Sequence, residues 1–519
     1  MTVEQICQIG KVKINDENIA IINKYKDYII PWLSSDEFKT NYAKKEFPPL
    51  INPAKLDYEG SDPAHAWVLN LPLPAFYDFL VFGSHAVGLH GAMIGFFALC
   101  GVTRKVMAIR GGGAAANLTA ANSADASSQG NYERMFKEII SYNKLKQAGY
   151  IKHFYLQLSD LVLDDDTKKF YSLIDASNAL HIVRDPISVL KGVAACPHRA
   201  ELMKVEGSED FVPFGMFLHQ DPFAHFSKHI FYMNHGLTMN TDKQSGVGEG
   251  KEMDFLPDIN SVEWWLLNYE QTFHDGIMYE LLAPSLKNIK LKQTTDFVGD
   301  KCFETMCELA DYFGFERPKQ SDRWLFEQRV SDLKHLTPMI LYANECCPLY
   351  TEQNSKAPEI NKELVENSIK ITLTTRFDGM LYILPEFDIS SLFELADPVF
   401  AVLIESEGDA LKLLKSPELL AKIKIYIKDL SHALLKQAKI ENTKKFKEND
   451  VLAWFEKYPK MRQVMSFIMK QHLLLLRRHK PEIIEGYKYY QEFLKLSKDD
   501  EPLDLSSGLN GKSISVTNF

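Results

Sequence analysis

Residues 76–101, FYDFLVFGSHAVGLHGAMIGFFALCG, constrain the fold more than any other stretch. Phe79-Leu80-Val81-Phe82 is an apolar run short enough for a buried strand. Gly83-Ser84-His85-Ala86-Val87-Gly88 breaks it, and the spacing then turns helical through Leu89, Met93, Phe96, Phe97 and Cys100. Such a layout aims loop N–H groups and the positive end of a helix at one small volume, which suits a phosphate. It also suits an ordinary tight turn, with His85 and His90 as packed or surface histidines.

Gly83 and Gly88 have the spacing of the front of a Walker A loop, but Leu89-His90 stands where that motif carries Lys-Ser/Thr. A second constellation, residues 181–191, lies further on. His181-Ile182-Val183 reads as a short buried strand, Asp185 as a helix N-cap and Pro186 as the first helical residue. Arg184 then sits where strand passes into helix, on the same edge of a parallel sheet as residues 83–88. Open α/β sheets bind ligands at that edge, and a guanidinium there clamps a phosphate or pairs with a nearby carboxylate.

Bulk properties bound the rest. A chain of 519 residues, 45% hydrophobic and 25% charged, has the means to bury a large core in two or three units. Its net charge of -10 argues against general nucleic-acid binding. Seven cysteines without metal-ligand spacing point to reduced thiols and a cytoplasmic setting. The N-terminus has no apolar signal core, and the apolar run at 86–102 is interrupted by His90 and glycines, as in a buried helix.

Helical spacing over Ile19–Ile30 is expected to stop at Pro31. Strands are expected at 105–109, 151–158, 289–293, 369–375 and 399–404, and helices at 131–148, 261–283 and 301–313. Residues 110–130, rich in Gly, Ala, Ser and Asn, suit a lid or a tolerated insertion. Asp164-Asp165-Asp166 suits the cap of the helix that follows; the alternative is a divalent metal with a nucleotide sugar. His225 and His229 have helical spacing but no third ligand pattern, so no metal is expected. Gly246–Lys251 lacks a preceding strand and reads as a connection. Leu473-Leu474-Leu475-Leu476-Arg477-Arg478 suits either a basic helix touching a membrane surface or a packed bundle helix.

Three pieces together resemble the sulfotransferase fold: 79–100, 181–194 and 288–315, the last ending in Asp311-Tyr312-Phe313-Gly314-Phe315. The chain is also similar, through Leu71-Pro72-Leu73-Pro74, Phe82-Gly83-Ser84-His85 and Val183-Arg184-Asp185-Pro186-Ile187-Ser188, to an uncharacterised epsilonproteobacterial family, some members of which are labelled sugar transferases. The first resemblance implies a P-loop α/β fold, a parallel sheet flanked by helices, with a mainly helical C-terminal extension. Its domains would be a helical lead-in (1–65), the core (66–335), a mixed and then helical region (336–500) and a loose tail (501–519).

It also implies phosphoadenosine phosphosulfate as donor and a carbohydrate-type hydroxyl as acceptor. Gly83, Ser84, Ala86, Val87 and Gly88 would hold the 5′ phosphate end, and Arg184 with Ser188 the 3′-phosphate. His85 and His153 are the candidate bases. The chain departs from the pattern at two places: the donor-loop lysine is missing, with His85 near its place, and Gly192 stands near the position of the expected serine. Two rivals stay open, a metal-dependent glycosyltransferase of surface polysaccharide synthesis and a non-enzymatic P-loop-derived binding protein that docks partners through its C-terminal helices.

Overall fold

Alternation along a single strand shows how the core is built. Phe79 and Val81 belong to one apolar cluster and Leu80 and Phe82 to another, so the strand is buried on both faces. The structure is a computed structural model that describes residues 1–89, 92–108, 127–199, 202–204, 211–225, 230–232, 256–268, 272–328, 331–352, 356–382 and 385–502. The 110–126 part of the Gly/Ala/Ser/Asn stretch, His90, His229, Gly246–Lys251 and the tail from 503 lie outside those residues.

The strands are β1 (Leu80–Phe82), β2 (Val102–Met107), β3 (His153–Leu158), β4 (Asn178–Val183), β5 (Pro197–Arg199), β6 (Leu202–Lys204), β7 (Phe211–Pro213), β8 (Met216–Phe217), β9 (Ile230–Tyr232), β10 (Asn288–Gln293), β11 (Met339–Ala343), β12 (Ile369–Thr375) and β13 (Phe400–Ile404). Five of them form a parallel sheet in the order β10-β4-β1-β3-β2. The chain leaves β1 toward β2 on one side and β4 toward β10 on the other. The strand order therefore reverses between β1 and β4, the switch point beyond whose carboxyl ends open α/β sheets bind ligands. A second sheet, β13-β12-β11-β8, is mixed: β12 runs antiparallel to both neighbours, while β8 runs parallel to β11.

Helices cover the five-stranded sheet, and a helical region follows β13, beginning with Glu407–Lys415 and the long helix Pro417–Lys444. The side chains of the C-terminal helices join the same apolar cluster as Phe79 and Val81. Leu473 and Leu476 are buried in it, and Leu475 is buried as well. Among the described residues, no helix is long and apolar enough to cross a membrane.

Two expectations need correction. Pro31 lies inside the helix Asp16–Ser34 instead of ending it. The bond its missing N–H forgoes is offset by burial of Trp32 and Leu33 in the last turn, with Trp32 Nε1 donating to Pro49 O at 2.9 Å. Among the described residues, Ser261–Leu267 and Asp275–Leu282 stand as separate helices where one was expected over 261–283. Asn268 Nδ2 and Thr272 Oγ1 donate to the carbonyls of Trp264 and Trp265, at 2.8 and 3.0 Å, and so occupy acceptors at the end of the first helix.

Candidate functional site

The carboxyl edge of the parallel sheet gathers four segments: residues 83–88 after β1, Ser159-Asp160 after β3, Arg184–Ser188 after β4 and Thr294 after β10. Backbone geometry pins the first to its neighbours. A Cβ on Gly83 would lie 2.5 Å from Ile182 O, so only glycine lets the loop leave β1 this close to β4. Ala86 (φ +58°) and Gly88 (φ +102°) both take positive φ, which folds the loop back. Thr294 Oγ1 shares its proton between Val87 O at 3.0 Å and Val183 O at 3.3 Å, tying β10 to both turns.

Residues 83–88 and 184–188, distant in sequence, meet here. Arg184 Nη1 donates to Ala86 O at 2.5 Å, and a Cβ on Gly192 would come within 2.9 Å of the Ala86 Cβ. Burial pushes the Arg184 guanidinium below its ordinary value, with Glu448 and Asp185 opposing. Asp185 caps the helix Pro186–Ala194, accepting from Ile187 N at 3.0 Å. Its other oxygen accepts from Tyr489 N and Tyr490 N, at 2.9 and 3.2 Å, in the first turn of the C-terminal helix Lys488–Leu496. Ser188 Oγ donates to Glu448 Oε1 at 3.0 Å, and Lys191 Nζ lies 3.3 Å from the same oxygen.

His85 also sits at this edge. Its Nε2 is 2.8 Å from Asp160 Oδ1, with the imidazole 31% and the carboxylate 15% exposed. A histidine held by a carboxylate is an oriented base. Nearby on β2, burial pushes the Lys105 ammonium down to about 8, with Asp160 opposing. Ser84 faces inward, donating through Oγ to Asp275 Oδ1 at 2.7 Å, so of this residue the backbone alone is available to a ligand. Asp275 lies 3.3 Å from His181 Nε2, in a buried group with His274 and His472. Burial acts to raise its carboxyl, yet His181, His472 and His274 hold it well below the usual carboxylate range.

His153 is not brought to this edge. It opens β3, roughly 17 Å of extended chain from the strand's far end at about 3.3 Å per residue, and its Nδ1 lies 3.3 Å from Asp78 Oδ1. Asp164 accepts from Ser128 N and Ser128 Oγ, at 2.7 and 2.6 Å, in the first turn of the long helix Ser128–Gln147, and from Asp166 N at 2.9 Å; Asp166 holds the N-cap position of the helix Thr167–Ser172 but makes no side-chain cap bond there. Asp166 pairs with Lys13 at 2.8 Å. Among the described residues, no group of three or more His, Cys, Asp and Glu side chains is placed to hold a metal ion.

Comparison with known proteins adds one match. Residues 293–499 match the family model described as a protein of unknown function (DUF2972). No curated protein and no solved structure matches the chain. The matched segment carries Thr294, β11–β13, Glu448 and the Tyr489-Tyr490 N–H groups; residues 83–88, Asp160 and Arg184 lie before it.

Asp160, Lys191, Glu448 and the Asp275–histidine group escaped the sequence reading. Asp160 alone had a local signal, an acid two residues beyond a strand end, but the triple aspartate at 164–166 outweighed it.

The buried histidines make stability depend on pH. Burial pushes the His472 imidazole from 6.5 down to about 4, with Asp275 opposing and His274, His181 and Arg477 reinforcing. The unfolded chain therefore binds more protons between those values. The stability His472 contributes is complete above pH 6.5 and is lost as pH falls toward 4, about 2 kcal/mol of it by pH 5. The urea midpoint should fall between pH 7 and 5, and less so in His472→Gln; an equal fall in that variant would exclude His472 as a cause.

Proposed function

We propose that the chain is a transferase with a sulfotransferase-like P-loop core, moving a sulfuryl group from a nucleotide donor to a hydroxyl on a carbohydrate-type acceptor. The observation that carries this reading is the meeting of residues 83–88 with Arg184 at the switch point between β1 and β4, with the His85–Asp160 pair on the same edge. Backbone N–H groups of the loop and the Arg184 guanidinium would hold the two phosphate ends of phosphoadenosine phosphosulfate. A carboxylate already occupies Ser188 and Lys191, so the donor set accepts an anion. The donor would supply the sulfuryl group. The chain supplies the anion clamp and a base, because Nε2–H donation to Asp160 puts the imidazole lone pair on Nδ1.

The glycosyltransferase reading loses its support where Asp164 and Asp166 serve Ser128 and Lys13. Thermal-shift screening with adenosine 3′,5′-bisphosphate, UDP, GDP and CMP tests the donor. The bisphosphate is expected to raise the melting temperature most, and Arg184→Ala to remove its effect. A larger shift with UDP, GDP or CMP would transfer the reading to a nucleotide-sugar donor. A shift that survives Arg184→Ala would end the assigned role of Arg184.

A further inference from the structure

The helix after β4 is gripped from both sides by the C-terminal region. Asp185, presented by the core, accepts from two N–H groups of the helix Lys488–Leu496. Glu448, the first residue of the helix Glu448–Lys457, reaches the other way, to Ser188 and Lys191. Ser188 and Glu448 are 260 residues apart in sequence, so this contact is purely tertiary. The two acids act as a reciprocal latch.

We infer that Arg184, Ser188 and Lys191 line an anion site that the chain fills with its own Glu448, and that a phosphate monoester binds there by displacing this carboxylate and loosening the C-terminal helices. Three observations converge on it. Arg184 is half-buried, makes no ion pair among the described residues and donates to Ala86 O, with its Nη1 only 3.3 Å from where a Cβ on Gly192, the neighbour of Lys191, would lie. Lys191 is a second cation here, its side chain 24% exposed and its only ion-pair partner among the described residues Glu448. Burial pushes Lys191 down, Glu448 opposes that, and Arg184 and Lys445 add to it, so Lys191 sits among like charges that the Glu448 carboxylate offsets.

Burial alone would raise the Glu448 carboxyl. Its backbone hydrogen bond, Lys191 and Ser188 outweigh that and keep it below the usual carboxylate range, so the pocket holds it charged. A phosphate monoester offers nearly two charges and three acceptor oxygens where Glu448 offers one charge. Exchange would leave the helix Glu448–Lys457 without its tie to the core. The apparent affinity of such a ligand is reduced by the fraction of chains in which the latch is shut.

This inference rests on the reading of Arg184 as an anion clamp, but not on the group transferred. The test uses the full chain with two probes, inorganic phosphate and adenosine 3′,5′-bisphosphate. Affinity is read by calorimetry, and opening by hydrogen exchange at 448–457 and 488–496. Glu448→Gln should bind phosphate about tenfold more tightly, and phosphate should speed exchange in both segments of the wild type. Lys191→Met in the Glu448→Gln background should return the affinity to the wild-type level or below.

Should Glu448→Gln fail to accumulate, Glu448→Asp withdraws the carboxylate while keeping an acid in the first turn, and should also tighten binding. Unchanged phosphate affinity in the folded variant, or slower exchange on phosphate addition, would overturn the latch. Phosphate bound with the expected exchange response, but bisphosphate bound no better, would keep the latch and defeat the donor proposed above.

Discussion

His85→Ala is expected to lower turnover of the acceptor by about 10²–10⁴-fold, the usual contribution of a positioned acid–base group, with bisphosphate binding unchanged. The expectation follows from position. His85 lies inside the loop after β1, but its ring is turned to Asp160 at the end of β3, away from the Arg184 side. The anion clamp therefore survives loss of the imidazole. Asp160→Asn separates orientation from folding, since the amide keeps the shape and removes the charge that fixes the tautomer. It should lower kcat while leaving the acceptor KM nearly unchanged, and it should distort the acidic limb of the pH–rate profile. A His85→Ala protein within threefold of wild-type turnover would remove His85 as the base.

What the sequence disclosed about the fold follows from which signals are local. β1, β3 and β4 are buried on both faces, so each reads as an apolar run. The helix Pro186–Ala194 announces itself through an N-capping Asp185 followed by Pro186. The helix Lys301–Phe313 ends where Gly314 takes φ +80°, a conformation that glycine adopts without strain. β11 was not foreseen: five residues between Pro338 and Asn344 carry too short a period to separate from a loop, and the strand owes its place to pairing with β12 and β8.

The candidate site divides the same way. Arg184 and the 83–88 loop were legible because each stands at a strand-to-structure boundary that sequence chemistry marks with glycine, aspartate or proline. Glu448, Tyr489 and His472 were not. Each reaches the core, Glu448 and Tyr489 at the helix after β4 and His472 beside Asp275, from a helix whose own sequence reads as an ordinary amphipathic surface, and nothing local distinguishes the one residue that will face inward. The region after β13 is thus in direct contact with the helix after β4, although composition alone presented it as an appended bundle.

That dependence is tested most severely where two backbones touch. Gly276, in the first turn of the helix Asp275–Leu282, faces the last turn of the helix Pro459–His472. A Cβ there would lie 1.8 Å from Gln471 O and 2.7 Å from Gln471 C, both backbone atoms with no rotamer to swing aside. Gly276→Ala must push the two helices apart, and a loss of about 3 kcal/mol is expected, at the upper end for overpacking. Its neighbour Asp275 holds Ser84 and His181, so the displacement should reach the loop after β1 and weaken bisphosphate binding as well.

Gly408→Ala supplies the opposite sign. That residue is exposed in the helix Glu407–Lys415, and its added Cβ would meet nothing nearer than Ser406 Oγ at 3.7 Å. Alanine there should stabilise the chain by about 0.5–1 kcal/mol through the unfolded state. Urea midpoints of the two variants should therefore move in opposite directions. If Gly276→Ala instead costs less than about 0.5 kcal/mol, well under the ordinary range for overpacking, the C-terminal helices do not rest on the core at backbone contact. The Glu448 latch would then lack the rigid seat it needs.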